Sequence, residues 1–262
     1  MPAVHIDSSG TGTGPPLVLI HSLLTDARAY DATVAELGDR YCVHRVWLPG
    51  FGPSAPLDGG ESHTLFDLAG VVAEAMPDGG VGPGAAVLGN GLGAFVAVAM
   101  AIAGGSDFGP LIVANGGAVF SEDRRGAFET MSRLVSESGM AAVVDTAVRR
   151  IFPEEYLAAH PEAMEDRRRV LLDIDPTSFA ACCRALHAMD LRPGLGSIAN
   201  PTLVVGGSAD ATTPPEMSAE LAASIAGAEL VILDDCGHCP PLQQPAALAT
   251  AVDAFLTRHL QQ

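Results

Sequence analysis

Seven short apolar runs, separated for the most part by longer stretches of helical pattern, constrain this chain more than any other feature. The runs fall at residues 4–7, 17–20, 42–47, 85–88, 111–114, 202–205 and 230–233. The later ones are continuous in Val, Ile and Leu, as expected of strands covered by helices on both faces. Between them the spacing predicts helices over 30–37, 65–75, 92–102, 215–225 and 245–259. Pro215 and Pro245 suit a first helical turn, where a missing N–H costs nothing. This alternation predicts an α/β fold, an open and mostly parallel sheet flanked by helices. With 262 residues, 48% hydrophobic and 17% charged, the chain is long and apolar enough for one large core.

One stretch breaks the rhythm. Residues 120–196 contain no convincing strand but do contain helical segments at 125–135, 140–151 and 178–189, with a dense charge cluster at 162–169. The expected organisation is a core formed by 1–119 and 197–262, with 120–196 inserted as a helical lid. Asp58-Gly59-Gly60 and residues 78–84 read as turn-rich loops.

The chemistry concentrates where strands end. Ala85-Ala86-Val87-Leu88-Gly89-Asn90-Gly91-Leu92-Gly93 reads as a buried strand, a sharp turn and a helix start. This matches the G-x-S-x-G elbow that carries a nucleophilic serine, with Gly91 in the serine position. Asp210 follows the run 202–205 in Gly206-Gly207-Ser208-Ala209-Asp210-Ala211-Thr212-Thr213-Pro214, and His238 follows 230–233 in Cys236-Gly237-His238-Cys239. Alone, each is an ordinary loop residue. In the order nucleophile position, acid, histidine, they form a triad pattern. The loop His21-Ser22-Leu23-Leu24-Thr25-Asp26 follows another strand, so the backbone N–H groups of Leu23 and Leu92 are the expected oxyanion donors. Because these donors are amides, removing a serine side chain leaves them in place.

Together, Ser22-Leu23-Leu24-Thr25-Asp26, Leu48-Pro49-Gly50-Phe51-Gly52-Pro53-Ser54, Gly206…Asp210…Thr213-Pro214-Pro215 and Cys236-Gly237-His238 resemble the α/β-hydrolase superfamily over nearly the full length. The N-terminal loop and the elbow most resemble 3-oxoadipate enol-lactonases, which implies hydrolysis of a carboxylate-bearing lactone through a Ser-His-Asp triad. Three positions depart from that pattern: Gly91 for the serine, Leu24 for a usual glycine, and Trp47 for a common aspartate.

A glycine at the elbow relieves backbone strain worth ~1–3 kcal/mol in other residues but deletes the only atom that forms an acyl-enzyme there. Four readings stay open. His238, oriented by Asp210, can act as general acid/base in a lyase, decarboxylase, cyclase or isomerase that needs no nucleophile. Water held by His238 can hydrolyse a lactone or ester. The chain can be a ligand-binding relative without turnover, or a serine hydrolase carrying a Ser-to-Gly substitution. Ser22, Cys236 and Cys239 are the other nucleophile-bearing neighbours, with structural roles expected for all three. Ser22, Arg124 and Arg149 are candidate substrate contacts, and Arg125, Arg133 and Arg150 are further lid cations of a kind that grips carboxylates.

The remaining features narrow the partners. A net charge of −17 repels nucleic acid and anionic membranes, leaving a small-molecule substrate as the expected partner; an oligomer is possible but not indicated. The N-terminus lacks a signal-peptide pattern, so a cytoplasmic protein is expected. Five cysteines, an odd count, argue against a disulfide framework, and Cys236-Gly237-His238-Cys239 lacks the second ligand pair of a zinc site. Gly89-x-Gly91-x-Gly93 is too short for a dinucleotide fingerprint. No cofactor or metal is expected.

Overall fold

A computed structural model describes residues 4–8, 12–56, 63–104 and 108–260; the Asp58-Gly59-Gly60 turn lies outside them. Among these residues the chain forms strands β1 (His5–Ser8), β2 (Pro16–Ile20), β3 (Cys42–Trp47), β4 (Ala86–Asn90), β5 (Leu111–Ala114), β6 (Thr202–Gly207) and β7 (Glu229–Leu233). They make one sheet in the order β1-β3-β2-β4-β5-β6-β7. All pairings are parallel except β1 with β3, which is antiparallel. The order reverses direction between β2 and β4, which are hydrogen-bonded neighbours with Ile20 opposite Gly89. Open α/β sheets place ligands at the carboxyl ends of strands beside such a switch point. Here the loop after β2 and the elbow after β4 emerge side by side.

The core helices are α1 (Asp31–Leu37), α2 (Leu65–Asp78) and α3 (Leu92–Ile102). Between β5 and β6 the chain inserts α4 (Glu122–Ser138), α5 (Val144–Ile151), α6 (Glu154–Ala159), α7 (Pro161–Leu172) and α8 (Pro176–Ala188). It then returns to the core with α9 (Pro215–Ser224), α10 (Pro240–Gln243) and α11 (Pro245–His259). Local chemistry sets the helix starts. Thr64 and Asp67 cap α2 reciprocally, satisfying two otherwise unpaired N–H groups. Proline opens α7, α8, α9, α10 and α11.

The central helix is α3, whose residues 92–101 are all buried. Two glycines let it start hard against the sheet. A Cβ on Gly93 would stand 2.1 Å from the Ile20 carbonyl oxygen, and one on Gly89 would stand 2.1 Å from the Gly93 carbonyl oxygen. The Gly93 N–H donates to the His21 carbonyl at 3.0 Å. The inserted helices attach through aromatic contacts, Phe95 of α3 to Phe120 at 5.2 Å and Phe120 to Phe128 of α4 at 4.8 Å between ring centroids.

One sequence expectation needs correction. β7 is not covered on both faces: Leu230 and Ile232 are exposed, because the strand lies at the sheet edge among the described residues. The inserted stretch holds two further helices, α6 and α7, the latter spanning the charge cluster at 162–169, and of both only Leu171 is buried; helices bathed by solvent carry little apolar periodicity to read. No helix among the described residues is long and apolar enough to cross a membrane.

The tight α3–β2 approach predicts that Gly93→Ala costs about 2 kcal/mol or more in urea denaturation, since backbone on both sides must move. A loss below about 0.5 kcal/mol would show that the contact is loose.

Candidate active site

Strand ends bring Gly91, Asp210 and His238 to one buried point. The His238 and Asp210 side chains are 6% and 0% exposed, with Nδ1 of His238 2.9 Å from Oδ2 of Asp210. Asp210 is saturated with donors. Oδ2 also accepts from Thr213 Oγ1 at 2.6 Å and Asn115 Nδ2 at 2.6 Å, and Oδ1 accepts from the N–H groups of Thr212 and Thr213. Burial pushes this carboxyl up, but the neighbouring His238 charge and the hydrogen bonds from His238, Thr213 and Asn115 outweigh it, and the group lies below its ordinary value. An ionised carboxylate accepting from Nδ1–H leaves the Nε2 lone pair of His238 free, and His238 lines the small cavity at Gly91.

The histidine loop is stitched down from three sides. The His238 N–H donates to the Ile151 carbonyl, the Asn90 amide donates to the His238 carbonyl, and the Asn115 amide donates to the Gly237 carbonyl. In the sequence Asn90 and Thr213 stand only as members of the elbow and acid-loop motifs, and Asn115 in none. Their signal was position alone: Asn90 and Asn115 stand at the carboxyl ends of β4 and β5, and Thr213 lies three residues after the acid. Asn115 holds φ of +51°, a left-handed conformation that asparagine tolerates better than most residues.

Gly91 has φ +53° and ψ −118° at the head of α3, the turn the elbow motif requires. A Cβ there would lie 2.4 Å from Ser22 Oγ and 3.0 Å from His238 Nε2. The Ser22 hydroxyl therefore enters the space beside Gly91. That hydroxyl is buried and has no protein hydrogen-bond partner, which costs about 1–3 kcal/mol.

The two expected oxyanion residues, Leu23 and Leu92, both line the cavity. Leu92 opens α3, and the first N–H groups of a helix have no partner within it. Loop geometry is fixed by His21. Its Nε2 accepts from the Leu48 N–H at 3.1 Å, so Nδ1 carries the proton and donates to the Ser22 carbonyl at 2.8 Å. Burial lowers the His21 pKa to about 4, against smaller raising effects of the Ser22 carbonyl and Asp26. Leu24 is buried in the cavity wall. Trp47 donates to Asp7 at 2.7 Å.

The cavity is small, about 20 Å³, room for roughly one water. Ser22, Gly91, Thr212 and His238 form its polar wall; Phe95, Phe120, Phe128, Met131 and Leu186 close it. Arg150 also lines it. The two arginines singled out as substrate contacts do not: Arg149 is exposed on α5, and Arg124 donates to the Ala211 and Thr212 carbonyls, holding the acid loop. Helix rotation decides this, since adjacent residues on α5 point about 100° apart. Cys236 and Cys239 are buried with thiols pushed up to about 12 by desolvation, so neither is an activated thiolate.

Comparison with known proteins gives a consistent picture. The model of the "Alpha/beta hydrolase family" matches residues 17–251. A 3-oxoadipate enol-lactonase from Acinetobacter baylyi is 28% identical over 98% of this chain and 94% of its own. A pimeloyl-(acyl-carrier protein) methyl ester esterase from Nitrosomonas europaea is 26% identical over 97% of this chain and 100% of its own. The crystal structure of the enol-lactonase from Burkholderia xenovorans superposes with a TM-score of 0.88, at 29% identity, covering 97% of this chain and 95% of that one.

Two predictions follow from this geometry. Gly91→Ala should destabilise through strain and the clash with Ser22, and the cost should shrink in a Ser22→Gly background, leaving the ~1–3 kcal/mol of strain; equal costs in both backgrounds would deny the contact. His21, neutral when folded, contributes stability that is complete above pH 6.5 and is lost as pH falls from there through about 4. The loss is on the order of 3 kcal/mol. Denaturation midpoints measured across that window should fall accordingly, and a flat profile would contradict the buried neutral ring.

Proposed function

The chain belongs to the alpha/beta hydrolase family, and within it we propose an enzyme acting on a small, largely apolar ester or lactone. His238 moves the protons, Asp210 holds its ring and offsets its charge, and the N–H groups of Leu23 and Leu92 receive the oxyanion. The observation that carries this reading is the pairing at 2.9 Å of a buried, donor-saturated carboxylate with a histidine that lines the cavity at the elbow. A pocket used only for binding has no need of that arrangement. The substrate class rests on relatives that are lactonases and esterases and on a cavity wall that is mainly Phe, Leu and Met. Arg150 supplies a fixed positive charge at the cavity edge for a substrate carboxylate. Small-molecule pockets usually enclose about 300–1,000 Å³, so the inserted helices act as a lid that shifts to admit substrate.

The oxyanion contribution follows from preorganisation. Amides fixed by the α3 start and by the His21 clip need no reorganisation as charge develops, and in a dry site each such donor is worth ~3 kcal/mol of barrier. A second reading uses the same groups for proton transfer beside a carbonyl without hydrolysis, as in a lyase or isomerase. It is favoured by glycine at the elbow, which forms no acyl-enzyme.

With p-nitrophenyl acetate and small lactones as probes, His238→Ala should lower kcat/KM by about 10³-fold or more, and Asp210→Asn by roughly 10³–10⁴-fold. Arg150→Met should raise KM roughly tenfold for a carboxylate-bearing lactone and leave a neutral one nearly unchanged. A His238→Ala variant with undiminished turnover would remove the reading altogether.

A further inference from the structure

We propose that Ser22 supplies, from the oxyanion loop, the attacking hydroxyl that the elbow lacks. This inference rests on the His238–Asp210 reading above. Ser22 Oγ and His238 Nε2 lie 2.4 and 3.0 Å from one point, the place a Cβ on residue 91 would occupy. The hydroxyl thus reaches, from the opposite wall, the space that a serine side chain at the elbow would fill. It is buried, lines the same cavity as His238, and lacks a protein partner, whereas a hydroxyl kept for packing ordinarily bonds to a nearby carbonyl. The Ser22 carbonyl is held by His21 Nδ1 at 2.8 Å and by the Thr25 N–H at 3.2 Å.

The arrangement also keeps the oxyanion donors. In the elbow motif one donor is the residue after the nucleophile and the other comes from the facing loop. With Ser22 attacking, Leu23 becomes the residue after it and Leu92 the facing one, so the same two amides exchange roles. Gly91 is then a requirement, because any Cβ there collides with the attacking oxygen.

The chemistry balances without a co-reactant beyond water. Ser22 Oγ bonds to the carbonyl carbon while its proton passes to His238 Nε2, and the carbonyl π pair moves onto the oxygen facing Leu23 and Leu92. Collapse breaks the carbon–alkoxy bond, and the leaving oxygen takes the proton from Nε2. Water then gives a proton to Nε2 as its oxygen bonds to the acyl carbon. The second collapse expels Ser22 Oγ, which regains the proton. Asp210 balances the imidazolium in both halves.

The test is treatment of the full chain with an alkyl fluorophosphonate, followed by intact-mass measurement and peptide mapping. One adduct on the peptide bearing Ser22 is expected, absent in Ser22→Ala and strongly reduced in His238→Ala. Ser22→Ala should also hydrolyse p-nitrophenyl acetate at least 100-fold more slowly, with a Tm equal to or above that of the parent, since the deleted hydroxyl was unpaired. No adduct, an adduct elsewhere, or parental hydrolysis by Ser22→Ala overturns the assignment. If His238→Ala loses activity while Ser22→Ala keeps it, the histidine–aspartate reading survives and only the serine assignment falls; if both keep it, both fall.

Discussion

Backbone pressed against backbone at the start of α3 underlies the rest of the molecule. Gly89 and Gly93 have no side chain where they meet each other and the end of β2, so the helix begins in contact with the sheet. The Gly93 N–H closes onto the His21 carbonyl, locking the loop after β2 to the turn after β4 at the point where strand order reverses. A few tenths of an ångström of separation would move Leu23 and Leu92, which both line the cavity, apart. Nothing in the side chains could restore that geometry.

A second constraint is electrostatic. Burying a carboxylate is expensive unless its oxygens are fully hydrogen-bonded, and Asp210 meets that condition with partners drawn from three segments: the turn after β6, Asn115 after β5 and His238 after β7. The inserted block takes part as well, because the carbonyls of Arg150 and Ile151 at the end of α5 accept from Thr212 and His238. The acid and base loops are consequently coupled to the helices that cover the cavity.

Much of this was legible in the sequence because two signals were local. Continuous apolar runs marked β4, β5 and β6, and proline or glycine marked where α3, α9 and α11 begin. Asp210 and His238 were readable because each follows a strand in the order a triad requires. What stayed hidden was whatever depends on rotation about an axis or on contacts across the sheet. Arg150 rather than Arg149 faces the cavity, a difference of one residue on α5. Asn115 reaches Asp210 across 95 positions of chain. The direction of the Ser22 side chain is a torsion that no residue pattern encodes.

The site therefore brings a hydrogen-bonded histidine–aspartate pair to a glycine elbow, beside the two residues proposed to supply the oxyanion N–H groups. Its central claim is that His238 carries its proton on Nδ1, toward Asp210, and presents a bare Nε2 to the cavity. Direct observation of the ring nitrogens of the neutral imidazole by ¹⁵N NMR tests this tautomer most directly. A protonated Nδ1 and an unprotonated Nε2 are expected, with the preference lost in Asp210→Asn; a proton resident on Nε2 of the neutral ring in the parent chain would contradict this.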